Sequence, residues 1–189
     1  MANNFREIEL KFPLKNKEAV LAKLESLVGE PGQVVTQKDT YFNPPHRDFL
    51  EPEHVSEWLR IRETEKGATI NYKNWHKEDN VESVKADEYE TSIDEPEAMD
   101  RIFDVLQFKK LIVVEKKRQT WDYKDVEIAI DEVIDLGSFI EIEAKGNFES
   151  EEAAEKHLYD ILKELGAEVG EQDFKGYPML LLEKKGLKR

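Results

Sequence analysis

The sequence contains no cysteine. That excludes disulfides, thiolate metal sites and a cysteine nucleophile, and it suits a reducing compartment, so a cytoplasmic location is expected. No apolar run approaches the length needed to cross a bilayer. The opening stretch MANNFREIELKF lacks a basic segment followed by a long apolar one, so no secretory signal is expected. Positive charge is the scarcer sign: 28 Lys and Arg against 42 Asp and Glu leave a net charge of −14. An acidic surface argues against binding nucleic acid or anionic membrane, and neither is expected as a partner. The four histidines, His46, His54, His76 and His157, are scattered without zinc-ligand spacing. There is no Gly-rich phosphate loop, dinucleotide fingerprint or G-x-S-x-G elbow.

What is present is a chain of 189 residues with nine Phe, six Tyr and three Trp, enough for a real core in a single domain over residues 1–189. Three stretches read as amphipathic helices. NKEAVLAKLESLVG has Asn16 as N-cap, a stripe of Val20, Leu21, Leu24, Leu27 and Val28, and Gly29 as its stop. DEPEAMDRIFDVLQF begins at Asp94, has Pro96 in its first turn and carries Met99, Ile102, Phe103 and Leu106. SEEAAEKHLYDILKELG begins at Ser150 and carries Leu158, Ile161, Leu162 and Leu165. Pro178 fits the first turn of a further short helix. Strands are expected near residues 5–13, 36–43, 56–63, 68–76, 84–92, 110–120, 122–132 and 137–146. Strands interrupted by helices, without regular alternation, indicate an α+β fold with a mainly antiparallel sheet. One loop, residues 43–56, is long enough to cover an opening.

Read with a period of two, each strand separates an apolar from a charged face. In REIELKF, Glu7, Glu9 and Lys11 oppose Ile8, Leu10 and Phe12. Trp58, Arg60 and Arg62 oppose Leu59 and Ile61. Asn71, Lys73 and Trp75 oppose Ile70 and Tyr72. Glu88 lies with Glu90, and Lys116 lies with Arg118. Asp131 opposes Ile128 and Ile130, and Glu141 and Glu143 oppose Ile140 and Ile142. One such strand alone reads as part of a solvated sheet face. Seven with a polar face of arginine, lysine and paired glutamate, and helices available for the apolar faces, point to an eight-stranded antiparallel β-barrel. Such a tunnel has a charged interior and flanking helices. Arginine forks and lysines bind phosphate oxygens, and carboxylates at i, i+2 hold a hard cation such as Mg²⁺ or Mn²⁺. The tryptophans read first as packing residues. Trp58 and Trp75 share the expected inner face, where a nucleobase or thiamine ring could meet them.

These residues resemble the CYTH domain, or triphosphate tunnel metalloenzyme, family, which includes class IV adenylyl cyclases, thiamine triphosphatases and inorganic triphosphatases. The likeness starts with Glu7, Glu9 and Lys11 as a Glu-x-Glu-x-Lys motif and continues through DTYF from Asp39, LRIR, NYK and DEYET. It then runs on through EKKR, IAIDEV and LGSFIEIE to about residue 146. The resemblance implies an eight-stranded tunnel that binds a triphosphate with divalent metal, Mg²⁺ or Mn²⁺. By the match, Glu7, Glu9, Glu141 and Glu143 would hold metal. Lys11, Arg60, Arg62, Lys73, Lys116 and Arg118 would bind phosphate. Lys11 and Asp131 would stand at the reaction centre, and Glu88 and Glu90 would position basic side chains or a second metal. LGSFIEIE and the chain length are similar to the cyclase branch, whose members often carry His-Phe before the motif. This chain has Asn3, Asn4 and Phe5 there. Three readings follow: a cyclase converting ATP to cyclic AMP and pyrophosphate, a triphosphatase acting on thiamine, inorganic or another organic triphosphate, and a polyphosphate-binding module without turnover. The expected partner is a small-molecule triphosphate, with a homodimer left open.

Overall fold

The computed structural model describes residues 8–30, 32–77 and 84–188. Eight strands and four helices follow one another as β1 (Glu9–Pro13), α1 (Lys17–Val28), β2 (Gln33–Asn43), β3 (Glu57–Thr64), β4 (Gly67–Lys77), β5 (Val84–Ile93), α2 (Pro96–Val105), β6 (Lys109–Tyr123), β7 (Val126–Val133), β8 (Gly137–Ala144), α3 (Glu151–Glu164) and α4 (Tyr177–Lys184). The fold is α+β. The eight strands form one sheet in the order β1-β8-β7-β6-β2-β3-β4-β5. The ladders β1–β8, β8–β7, β7–β6, β2–β3, β3–β4 and β4–β5 are antiparallel. Among the described residues the order is linear, with β1 and β5 at its ends, where the sequence led us to expect closure. The outer edge of β1 is covered locally: Gly170 and Asp173 donate their N–H groups to the carbonyls of Pro13 and Lys11 at 2.9 and 2.8 Å, and Lys15 donates to Glu168 at 2.8 Å.

The chain divides into two compact units, one of Met1–Val35 with Lys116–Gly176, the other of Thr36–Glu115 with Tyr177–Arg189. In the first, the apolar faces of β1, β7 and β8 meet α1 and α3. Leu10, Ile128, Ile140, Ile142, Val20, Leu24, Leu158 and Ile161 form its core together with Trp121. Val20, Leu24, Ile128, Ile140, Ile142 and Leu158 have no exposed surface at all. Each such side chain contributes about 1.5–3 kcal/mol on leaving water. This burial fixes the sheet's handedness of use: with Leu10 and Ile142 inward to the helices, Glu9, Lys11, Glu141 and Glu143 must share the other face. In the second unit, Phe42, Ile61 and Phe103 form a smaller core, with Leu59, Ile70, Ile93, Met99 and Phe108 packed against it.

Three local expectations are corrected. Asn16 precedes α1 but makes no capping bond with its side chain. It donates instead to the Gly166 carbonyl and accepts from the Glu168 N–H, both at 2.8 Å, tying α1 to the exit of α3. In α2 only Phe103 is buried, while Ile102 and Leu106 are half exposed. The β6–β7 turn lies at Lys124 and Asp125, past Trp121, with Lys124 at φ 52°. Residues 5–7 of the first expected strand lie outside the described residues, β2 starts three residues earlier than expected and β8 ends two earlier. Gly29 ends α1 in the left-handed conformation, and the Ser150 hydroxyl accepts from Ala153 N–H to start α3. The loop after β2 is tied down, because the Asn43 side chain donates to Asp48 and accepts from the Phe49 N–H, and Phe49 is buried.

Candidate functional site

In the first unit the polar face is a grid set by strand register. Glu9, Glu143, Glu127 and Asp122 stand directly opposite one another across β1, β8, β7 and β6. The next row is Lys11, Glu141 and Ala129, and the next places Phe139, Asp131 and Arg118 side by side. Lys11 Nζ lies 3.2 Å from Glu9 and 3.2 Å from Glu141. Arg118 donates Nε and Nη2 to the two oxygens of Asp131 at 2.8 and 2.7 Å, and Nη2 also to Glu141 at 2.9 Å. Lys116 Nζ reaches Asp131 at 3.1 Å. Asp131 has no exposed surface and Lys116 is buried. A carboxylate so placed is tolerable only because two cations satisfy it.

The electrostatics follow from this grid. Burial raises the Glu9 carboxyl above its ordinary range, and the nearby charge of Glu141 adds to that against the pull of Lys11. Burial works to lower the Lys11 ammonium, but Glu141 and Glu9 outweigh it and hold it above its ordinary value. The Glu141 carboxyl moves the other way. Burial would raise it, and Lys11, Arg118 and Lys116 together pull it down. Arg118 is held above its already high value because Asp131 and Glu141 overcome the effect of burial. The result is a fixed lattice of opposite charges on one sheet face.

The second unit carries a parallel arrangement. Arg62 donates Nε and Nη2 to the two oxygens of Asp39 at 2.7 and 2.6 Å. Arg60 is held more loosely, 3.6 Å from Asp39 and 4.0 Å from Glu90, and its Nε is buried without a hydrogen-bond partner. Lys73 lies 3.0 Å from Glu88, and Asn71 donates to Glu88 and Glu90 at 2.8 and 3.2 Å. Burial would raise the Glu88 carboxyl, yet Asn71 and Lys73 bring it below its ordinary range. The aromatic residues divide: Trp121 is core, Trp58 packs edge-on against Tyr41 with centroids 5.5 Å apart, and Trp75 is 42% exposed.

The sequence-derived residues thus fall into two sets. The first unit gathers Glu9, Lys11, Lys116, Arg118, Asp131 and Glu141, with Glu143 in the adjacent row and paired to Lys145 at 2.8 Å. The second gathers Arg60, Arg62, Lys73, Glu88 and Glu90. Glu7 lies outside the described residues. Asp39, quoted in the sequence only within a motif, is the residue whose role was missed. The one hint in the sequence was the pair Arg60 and Arg62 at i, i+2, which gives no position for an anion. Among the described residues no three carboxylate or imidazole groups gather as a metal-holding set. Glu9 and Glu143 supply two hard oxygen donors opposite each other in register, each already beside a lysine, Lys11 at 3.2 Å and Lys145 at 2.8 Å. By donor type they suit a hard cation, as two of the several oxygen ligands one takes.

The family profile described as the CYTH domain matches residues 6–177 and so runs across both units. A protein of Methanocaldococcus jannaschii named "Putative adenylate cyclase MJ0240" is 32% identical over 160 residues, 84% of this chain and 89% of that protein. The solved structure of PH1819 from Pyrococcus horikoshii has a TM-score of 0.70 at 32% identity, covering 95% of this chain and 99% of that one. That of PH1012 from the same organism has a TM-score of 0.66 at 27% identity, covering 94% and 98%. With the family profile matched over most of its length and the charged grid in the positions the motifs occupy, this chain belongs to the CYTH domain family.

Proposed function

We propose that this chain is a divalent-metal-dependent enzyme that binds a triphosphate and cleaves it in the manner of a class IV adenylyl cyclase, taking ATP to cyclic AMP and pyrophosphate. The observation that carries the reading is the meeting of Lys11 and Arg118 on Glu141, at 3.2 and 2.9 Å, beside Glu9. A family-matched face that concentrates cations and carboxylates suits a polyanion bound with metal, and the 32% identical relative carries a cyclase name.

In this reading Lys11, Arg60, Arg62, Lys73, Lys116 and Arg118 hold phosphate oxygens, and Glu88 and Glu90 support Lys73 and Arg60. Glu7, Glu9, Glu141 and Glu143 are the metal-ligand set. Glu141 already accepts from two cations, so Glu9 and Glu143 are the better-disposed pair. Mg²⁺ or Mn²⁺, when bound, neutralises phosphate charge. Lys11, ion-paired on both sides, serves as a positive charge near the transferred phosphoryl group. Asp131 is a positioning residue, since both its oxygens are engaged by Arg118 and it reaches no solvent. In cyclisation the ribose 3′ oxygen bonds to the α-phosphorus, the bond to pyrophosphate breaks, and the hydroxyl proton passes to a carboxylate or to water. The absence of cysteine suits a cytoplasmic enzyme.

Hydrolysis is the second reading, favoured by Asn3, Asn4 and Phe5 where cyclases often have His-Phe. The test is incubation with ATP, thiamine triphosphate and inorganic triphosphate in Mg²⁺ or Mn²⁺. Cyclic AMP with pyrophosphate supports the first reading, and orthophosphate supports the second. Thermal stabilisation without turnover leaves a binding module and overturns both.

A further inference from the structure

Among the described residues, Trp75 is a large aromatic residue on a polar strand face and outside both cores. Its side chain is 42% exposed, while Trp121 is buried and Trp58 is packed against Tyr41. On β4 it stands two residues beyond Lys73, on the same face, and Lys73 Nζ sits 4.2 Å from its ring centroid. Exposing an indole costs solvation free energy that a core position would recover. The residue opposite it in register is Ala86. The rows before it are Trp58–Lys73–Glu88 and Arg60–Asn71–Glu90. From Asn71 to Trp75 the strand advances about 14 Å at ~3.4 Å per residue. A triphosphate gripped at Arg60 and Lys73 would bring a ring attached through a short linker to the Trp75 position.

We infer that Trp75 is a specificity-determining residue that stacks on an aromatic ring borne by the substrate, so that the substrate class is an organic triphosphate with a heterocycle and not inorganic triphosphate. The inference rests on the triphosphate reading above. Lys73 then serves two ends at once, as a phosphate ligand and as the cation that fixes the indole plane from one side. The exposed part of the indole is what the ligand ring would meet.

The test is calorimetric binding, with Mg²⁺ present, of two non-hydrolysable probes whose anhydride oxygens are replaced by methylene bridges: an ATP analogue and an inorganic triphosphate analogue. Trp75→Ala is expected to weaken the ATP analogue about tenfold, from the loss of one base–aromatic stack, and to leave the inorganic analogue within about twofold. Trp75→Phe should restore most of the loss. Equal weakening of both probes would mean that Trp75 acts only through Lys73, and no weakening of either would mean that it touches no ring; each overturns the inference while sparing the triphosphate reading. Wild-type protein that binds neither probe overturns that reading itself, and this inference with it.

Discussion

Arg118 and Asp131 meet edge to edge across β6 and β7, with both guanidinium–carboxylate contacts under 3 Å and the carboxylate sealed from solvent. Arg62 and Asp39 repeat the same two-point geometry across β3 and β2. In each unit one buried aspartate thus orders a pair of cations spaced i, i+2 along a strand. The fork geometry fixes direction as well as charge.

Removing Asp131 leaves Lys116 and Arg118 partly buried without that counter-charge. Asp131→Ala is expected to lower unfolding stability by about 3–5 kcal/mol, read from the denaturant midpoint at unchanged slope. A loss below about 1 kcal/mol would place this ion pair among weak surface pairs.

Arg62→Lys keeps the charge and loses the fork on Asp39. A stability loss of about 1.5–3 kcal/mol is expected, from charge-assisted bonds that a single ammonium cannot reproduce. Triphosphate affinity should fall as well, by calorimetry. A neutral result in both measurements would show that the two-point contact does no ordering.

Glu88 gives a pH signature. Its folded pKa lies below its ordinary value of 4.5, because Asn71 and Lys73 outweigh burial. An acid shifted down contributes stability above its unfolded pKa and loses it as pH falls through the folded value. The stability advantage of wild type over Glu88→Gln should therefore be full near neutral pH and shrink as pH drops below about 4.5. An advantage that grows on acidification would reverse the assigned sign.

Asn16→Ala removes two bonds to the exit of α3 and leaves α1 otherwise intact. The expected cost is about 1 kcal/mol, seen as a lowered thermal midpoint, with added protease sensitivity near Gly166. Unchanged midpoint and cleavage would mean that the tie carries no load.

The polar face was legible because alternation in segments such as FIEIEA leaves no choice once Ile140 and Ile142 are buried. The motifs found the cations for the same reason. Asp39 was not legible by alternation, since it lies in a run, Asp39 to Asn43, that is buried on both faces. Its meaning appears only when Arg62 is seen opposite it in register. Asn16 looked like a cap because local rules favour asparagine there, and a contact 150 residues away claimed its side chain. The β6–β7 turn carries Lys124 and Asp125 without glycine, and Asp125 alone marked it only weakly. Ile102 and Leu106 fit a helical stripe, but of α2 it is Met99 and Phe103 that pack in the small core of their unit.

The most direct test compares wild type with Glu9→Ala in a metal-dependent triphosphate turnover assay, with an unfolding curve for each. Glu9 is 39% exposed and its charge is disfavoured by burial and by Glu141, so its removal should leave the fold stable. The account predicts product from wild type only with Mg²⁺ or Mn²⁺, and none from a folded Glu9→Ala. Full activity in that variant would contradict it.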